Sequence, residues 1–519
     1  MATIPNSQNF PQFSQADIIS EMKKVSNIDI SDFRFYPAIQ NRPNEIIKIE
    51  SEENGIVLTF GTVARKALLS YTHETSLHLY KPADATVDTL YLHINIWTDD
   101  IFRVVFSKEK KISNPFSGLP ENARMLIAKP EKVEFTLDET ENKITLTTSK
   151  TEITVDKKTT RISAKFIDGK EFYSQKKQDF RTGDIHDLTL ADSDNDYACF
   201  EALELESDEI IYGLGERFDS LTRNGRTVDF HNKDAVGTTS RRAYINIPFY
   251  LSTKGYGLFL NSGAKTDWQI ATTDLSALQF AVLDSQLDYF VIGGKTPKDI
   301  IKGYCSLTGF SKLPPLWSFG LWMSRNSYVS WDVVDDIAKK VRENDIPCDV
   351  LHLDTAWFNR DWNCDLKFSE ERFPNPEENI DRYKKDGFKI SLWQYNFIPP
   401  NDDNEHYHEA VKYGYLSKDK DGNPYQLPET CQGSWVKDVT IDFSNPDACK
   451  WYADKIKELI KLGACAIKTD FGEGIAEDAV YQNIDGKHFH NLYSLVYNGV
   501  VFDATKSVSG ENIVWARSG

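Results

Sequence analysis

Residues 445–473 read NPDACKWYADKIKELIKLGACAIKTDFGE, and their apolar period changes once, at Gly463. From Pro446 the spacing is that of an amphipathic helix, which the glycine closes. The next run, 464–470, is short and apolar and ends on the carboxylate of Asp470. A helix feeding a short buried strand is the repeating unit of a parallel sheet.

The same unit recurs on both sides. Upstream, strands are expected at 316–324, 350–354 and 390–393. A helix opens at Ser330, a good N-cap, with Val333, Ile337 and Val341 along one face. Another starts at Asn375-Pro376 and ends at Gly387. A long excursion follows the third strand. Downstream, a helix through roughly 490–507 leads to a fifth strand at 513–517. Five strands with four connecting helices suit an open sheet or an incomplete (β/α)8 TIM barrel, about five of eight strands.

Before Pro314-Pro315 the period is two. Leu90, Leu92, Ile94 and Ile96 alternate with polar neighbours, as do Phe102, Val104 and Phe106. Ile144, Leu146, Ile153 and Val155 continue the pattern, and Asp168-Gly169 is a strong hairpin signal. Many short strands without helical periods predict a β-sandwich. The expected organisation is an N-terminal extension (1–50), a β-sandwich (51–300) and the front part of a barrel (301–519), an α+β multidomain chain.

Composition narrows the function. The chain has 519 residues and a net charge of −18, which disfavours nucleic acid and anionic membrane surfaces as partners. Aromatic residues make up 12%, enough to supply faces for sugar rings as well as a core. No apolar run approaches membrane-span length, and the N-terminus lacks a secretory pattern. Seven scattered cysteines without a CxxC pair predict a reduced, cytoplasmic protein with no structural metal, and no cofactor motif is visible. A homo-oligomer is compatible with all of this.

Catalytic groups of a (β/α)8 barrel gather at the C-terminal strand ends. Asp354, Trp393, Asp470 and Arg517 stand there on successive strands. Singly, each is explained by capping a turn. Together they resemble a sugar pocket, with carboxylates for hydroxyl groups and an aromatic face for the ring. Asp192-Ser193-Asp194-Asn195-Asp196 opens like a calcium loop but has Tyr197 where glycine is needed and Leu203 where glutamate is needed. His406/His408 and His488/His490 are spaced i, i+2, which on a helix does not converge on a metal.

Lys468-Thr469-Asp470-Phe471-Gly472-Glu473 is similar to the nucleophile signature of glycoside hydrolase family 31. Asn445 to Asp454 resembles its α-xylosidase branch. So do Tyr212-Gly213-Leu214-Gly215-Glu216-Arg217-Phe218, Asn246-Ile247-Pro248-Phe249-Tyr250 and Pro314-Pro315 before Trp317-Ser318-Phe319-Gly320, and the matches to the family run on to Trp515-Ala516-Arg517-Ser518. The resemblance implies that Asp470 is the nucleophile of a retaining α-glycosidase, forming a covalent glycosyl-enzyme. It implies that Asp354 and Arg517 hold sugar hydroxyls and that Trp393 walls the subsite. Lys468, on the strand face of Asp470, either keeps that carboxylate ionised or is a surface-end lysine. Glu473 either supports the nucleophile from behind or stabilises a helix start. The loop from Arg223-Asn224-Gly225 to Asp234 resembles one that reaches over the pocket.

Two departures are visible. Thr355-Ala356 follows Asp354, matching neither the Cys-Phe of the α-xylosidase pattern nor the second acid of the α-glucosidase pattern. Ser327 stands where α-xylosidases tend to carry phenylalanine. Smaller residues leave room at the sugar's C6, so xylose, glucose and galactose all remain open. The family's general acid/base follows the Arg-Ser signature, and this sequence ends at Gly519. The expectation is an exo-acting α-xylosidase-like or α-glucosidase-like enzyme of small oligosaccharides, the 519-residue chain being inactive alone for want of an acid/base. The rival is a non-catalytic carbohydrate-binding remnant.

Overall fold

Alternating apolar residues have one way to hide from water, and the computed structural model shows it. It describes residues 38–68, 79–120, 124–177, 187–193, 196–235, 241–427, 438–511 and 513–519. Leu92, Ile94 and Ile96 on the strand Thr89–Thr98 lie opposite Phe106, Val104 and Phe102 on Ile101–Ser107. All six are at most 1% exposed. These strands belong to a 14-stranded antiparallel sheet whose two arms close over one core. Phe280 on one arm meets Tyr289 on the other edge-to-face at 5.8 Å. A 5-stranded sheet covers the same core with Ile144, Leu146, Ile153 and Ile162. The expected hairpin is present: Gly169 sits at φ 95° and donates to the Phe166 carbonyl at 2.8 Å, between paired strands Ile162–Phe166 and Glu171–Ser174.

The sheet domain begins earlier than the period suggests. A strand, Ile39–Glu52, pairs with Gly55–Leu68 inside the stretch assigned to the extension. Register shifts at Pro43/Glu45 and Ile46/Lys48 break its alternation, which hides the strand from a period-two search. Residues 1–37, and with them the N-terminal signal pattern, lie outside the described residues. Where the sequence opens like a calcium loop, the strands Thr189–Ser193 and Asp196–Glu204 pair antiparallel, Asp192 opposite Tyr197.

The helix Pro297–Thr308, opened by a Thr296/Asp299 capping box, leads into the parallel sheet. Its strands run in chain order: β1 (Trp322–Ser324), β2 (Val350–Leu353), β3 (Lys389–Tyr395), β4 (Ala466–Asp470) and β5 (Trp515–Ala516). Every neighbouring pair is parallel. This is the front part of a barrel, a curled half rather than a closed ring. The connecting helices are α1 (Trp331–Glu343), α2 (Pro376–Lys385), α3 (Glu405–Tyr413) in the excursion, α4 (Pro446–Lys461) and α5 (Gly486–Ser509).

Both strands at the sheet edges are shorter than expected. The first is preceded by a 3-10 turn, Leu316–Phe319. Gly320 then passes so close to the Asp349 carboxylate that a Cβ would overlap it. Helix α1 buries Trp331, Val334, Ala338 and Val341, so the expected stripe is rotated by one residue, with Val333 and Ile337 at its margin. The apolar sides of β2, β3, β4 and α5 share a core with Trp357, Phe443 and Tyr497.

Candidate active site

Register places the polar residues before any side chain chooses a rotamer. Trp393 on β3 is level with Lys468 on β4, which is level with Trp515 on β5. One rung further, Tyr395 is level with Asp470, and the Arg517 amide donates to the Thr469 carbonyl at 3.0 Å. Because strand side chains repeat every second residue, each strand end presents a pair: His352/Asp354, Trp393/Tyr395, Lys468/Asp470 and Trp515/Arg517.

Asp470 is 8% exposed, and among the described residues its hydrogen bonds and ion pairs are to donors and cations. The Trp393 indole N–H donates to Oδ2 at 2.7 Å. Lys468 Nζ lies 3.3 Å from the same oxygen. The Phe471 amide donates to Oδ1 at 3.1 Å, and Arg517 Nε stands 3.2 Å from it as an ion pair. A carboxylate so surrounded is held in one orientation. Lys468 is therefore no surface-end lysine. It also lies 3.6 Å from Asp354 Oδ2 and over the Trp515 ring at 5.4 Å.

Asp354 accepts from the Thr355 amide at 3.1 Å and from His352 Nε2 at 3.2 Å. Burial, the largest influence, pushes the carboxyl pKa up, but the His352 hydrogen bond and Lys468 outweigh it and hold the pKa below the usual range. Since ionised Asp354 only accepts, Nε2 carries the His352 proton. Burial holds that imidazole neutral, and Ser391 faces its other nitrogen at 3.1 Å.

Arg517 is shared by three carboxylates. It contacts Glu473 directly, pairs with Asp470, and lies 3.8 Å from Asp234 Oδ2 of the sheet domain. Its guanidinium stacks on Phe471 at 3.9 Å. Glu473 is 1% exposed, and burial raises its pKa to about 7 against the pull of Arg517. Among the described residues its Oε2 has no hydrogen-bond partner. Asp234 accepts from the Tyr244 hydroxyl at 2.9 Å.

Two expected roles change. Trp393 is fully buried, so it contributes its N–H to Asp470 instead of a ring face to a subsite. Its ring is enclosed by Trp362, Phe358 and Tyr395. Ala356 is 2% exposed and buried within a 3-10 turn. Thr355 and Ser327 do come together, with hydroxyls 3.1 Å apart. His352, Tyr244 and Phe471 were not foreseen. His352 and Asp354, two apart on one strand face, carried a legible signal, whereas Tyr244 did not.

Residues 311–519 match the glycosyl hydrolases family 31 TIM-barrel domain. Residues 91–268 match the glycosyl hydrolase 31 N-terminal galactose mutarotase-like domain. The chain belongs to glycoside hydrolase family 31. Among its relatives, α-xylosidase XylQ of Lactiplantibacillus pentosus is 37% identical over 324 residues, 61% of this chain and 42% of that protein. An α-xylosidase of Emericella nidulans is 35% identical over 322 residues, 61% of this chain and 40% of that one. The chain thus spans about two fifths of the length of these relatives. The fold is similar to that of a Flavobacterium johnsoniae family 31 dextranase solved with glucose. The TM-score is 0.76 at 20% identity, over 92% of this chain and 55% of that one. Among the described residues, no helix is long and apolar enough to cross a membrane.

Proposed function

We propose that this family 31 chain carries the nucleophile and sugar-binding half of a retaining α-glycosidase, acting on terminal α-linked xylosyl or glucosyl groups of small oligosaccharides. The observation that supports it best is the environment of Asp470. A nucleophile that must attack an anomeric carbon needs an ionised oxygen, a fixed direction and no competing proton. Trp393 and Phe471 supply donors that fix the direction of Asp470, and Lys468 and Arg517 place two cations beside it. Asp354, with an oxygen turned towards Lys468, is placed to accept from sugar hydroxyls. Arg517, between Asp470 and Glu473, is placed to donate to them.

The site has four carboxylates (Asp234, Asp354, Asp470, Glu473) around two cations, Lys468 and Arg517. Excess negative charge in a mostly buried pocket favours an oxocarbenium-like transition state over a neutral sugar. A retaining mechanism needs a second carboxyl group at about 5 Å to protonate the leaving oxygen. Asp354, Glu473 and Asp234 are each engaged by a donor or cation. We infer that the 519-residue chain alone turns over aryl α-glycosides negligibly.

A substrate that leaves without a proton separates these claims. A 5-fluoro-α-xylosyl or 5-fluoro-α-glucosyl fluoride expels fluoride unaided and leaves the sugar on the nucleophile. Incubated with the chain, one of the two is expected to add a single glycosyl mass, mapped by peptide sequencing to Asp470 and absent in Asp470→Asn. Labelling elsewhere, or none with either sugar, would sink the assignment. Rapid turnover of nitrophenyl α-glycosides by the chain would refute the inference about the acid.

A further inference from the structure

The sheet-domain segments around Arg217 and Asn246 lie outside the carboxylate ring, and the proposed chemistry makes no use of them. The fold joins them in a line of amides. Arg217 donates to Asn246 Oδ1. Asn246 Nδ2 donates to Asn232 Oδ1 at 2.6 Å, and Asn232 Nδ2 donates to the Asn491 carbonyl at 3.3 Å. Asn491, near the start of α5, replies with its side chain. Its Oδ1 accepts from the Asn232 amide at 2.9 Å. Its Nδ2 donates to the carbonyls of Phe230 at 3.1 Å and Ala264 at 3.4 Å. The strand Arg226–Phe230 is an edge of the 14-stranded sheet, and the Asn491 amide continues its hydrogen bonding into the barrel.

The neighbouring histidines pack the same joint. His490 is buried with Nδ1 2.9 Å from the Ile475 carbonyl and Nε2 2.8 Å from that of Asn232. Its ring stacks on His231 at 4.1 Å and 11°, and His231 contacts Glu477. Parallel rings cannot aim their in-plane lone pairs at one ion, and both His490 nitrogens already face carbonyl oxygens. This triad packs two loops together. Its loops are the ones that matter: Ile475 and Glu477 follow the strand of Asp470, and Asp234 lies two residues after Asn232.

We propose that Asn491 is a positioning residue for the sugar site. With Asn232 and Asn246 it fixes the sheet-domain loop 231–234 against α5, so that Asp234 meets Arg517 and Arg517 stays directed at Asp470. The consequence for sugar chemistry rests on the proposed role of Asp470, whereas the loop geometry does not. A side chain contributed by a separate domain is held at 3.8 Å from its partner only if the joint itself is rigid.

The test is Asn491→Ala in the 519-residue chain, read in two ways. By hydrogen exchange, peptides spanning 230–235 should exchange at least about tenfold faster. Peptides of the interior strand Ala277–Val282 should be unchanged. Asn491→Asp, which keeps the acceptor for the Asn232 amide, should fall between, and it serves where the alanine variant does not fold. Unchanged exchange at 230–235 overturns the proposal. By glycosyl-fluoride labelling, Asn491→Ala and Asp234→Ala should each slow adduct formation on Asp470 by about tenfold, and the double variant should be no slower than either. Losses that multiply would show that Asn491 does not act through Asp234. If the unaltered chain takes no label, the reading of Asp470 fails, and exchange at 230–235 alone decides the joint.

Discussion

Glu473 is where the charge balance of the site can be measured. Its carboxyl titrates at about 7 when folded, against an ordinary 4.5. Between those values the folded chain binds a proton that the unfolded chain has released, so stability falls as pH rises from about 4.5 to 7 and is level above. Glu473→Gln cannot take part. Relative to the unaltered protein, this variant should gain about 3 kcal/mol across that window and nothing beyond it. Chemical denaturation at pH 5, 7 and 9 reads the difference directly. A constant difference would mean that Arg517 keeps the carboxylate ionised throughout. Individual residues were legible where a strand face repeats. Asp354, Lys468, Asp470 and Arg517 stand at expected strand ends, whereas Trp393 needed the neighbouring strand to show that its ring is buried and its N–H turned towards Asp470.

Among the elements, the turn after β4 joins Asp470 to the groups around it. Phe471 takes φ 58°, a left-handed conformation unusual for a side chain of its size, and Gly472 follows at φ 100°. A Cβ on Gly472 would stand 3.0 Å from the hydroxyl oxygens of both Ser494 on α5 and Ser518. Gly472→Ala should therefore destabilise the chain by roughly 1–3 kcal/mol through backbone strain and crowding together. Urea midpoints measure it, and a loss within about 0.5 kcal/mol would show that the turn relaxes freely. Helices were easier to anticipate than edges. The N-cap positions Ser330, Asn375 and Asn445 marked the starts of α1, α2 and α4, and Gly387 and Gly463 the ends of the last two, whereas the edge strands β1 and β5, each with one strand partner among the described residues, are shorter than their sequence pattern. Helix α5 begins at Gly486, and a Cβ there would overlap the Glu477 carbonyl. That is a tertiary contact with no local signature.

At the scale of the whole molecule, several large apolar side chains stand exposed along the first edge of the parallel sheet. Leu313 and Leu316 are 86% and 87% exposed, Phe319 65% and Leu321 45%. On the far edge Trp515 is 36% exposed. Contiguous patches of this kind bind other surfaces. The chain should enhance the fluorescence of an apolar dye and sediment partly as larger species. Leu316→Lys with Phe319→Lys should reduce both several-fold while leaving the circular dichroism unchanged. A dye-silent monomer before substitution would refute this.

The one-dimensional pattern was sufficient for the two kinds of sheet, the order of the parallel strands, and a carboxylate at the end of β4. Period and strand-end position are local properties, and burial enforces them whatever surrounds the strand. Which groups hold that carboxylate was decided only in three dimensions. The indole of Trp393, the sharing of Arg517 among three acids, and the amide line from Arg217 to Asn491 depend on strand register and on a joint between segments more than 200 residues apart. Contacts across that separation leave no spacing in the sequence. They exist only because the sheet-domain core and the barrel core are docked edge to helix.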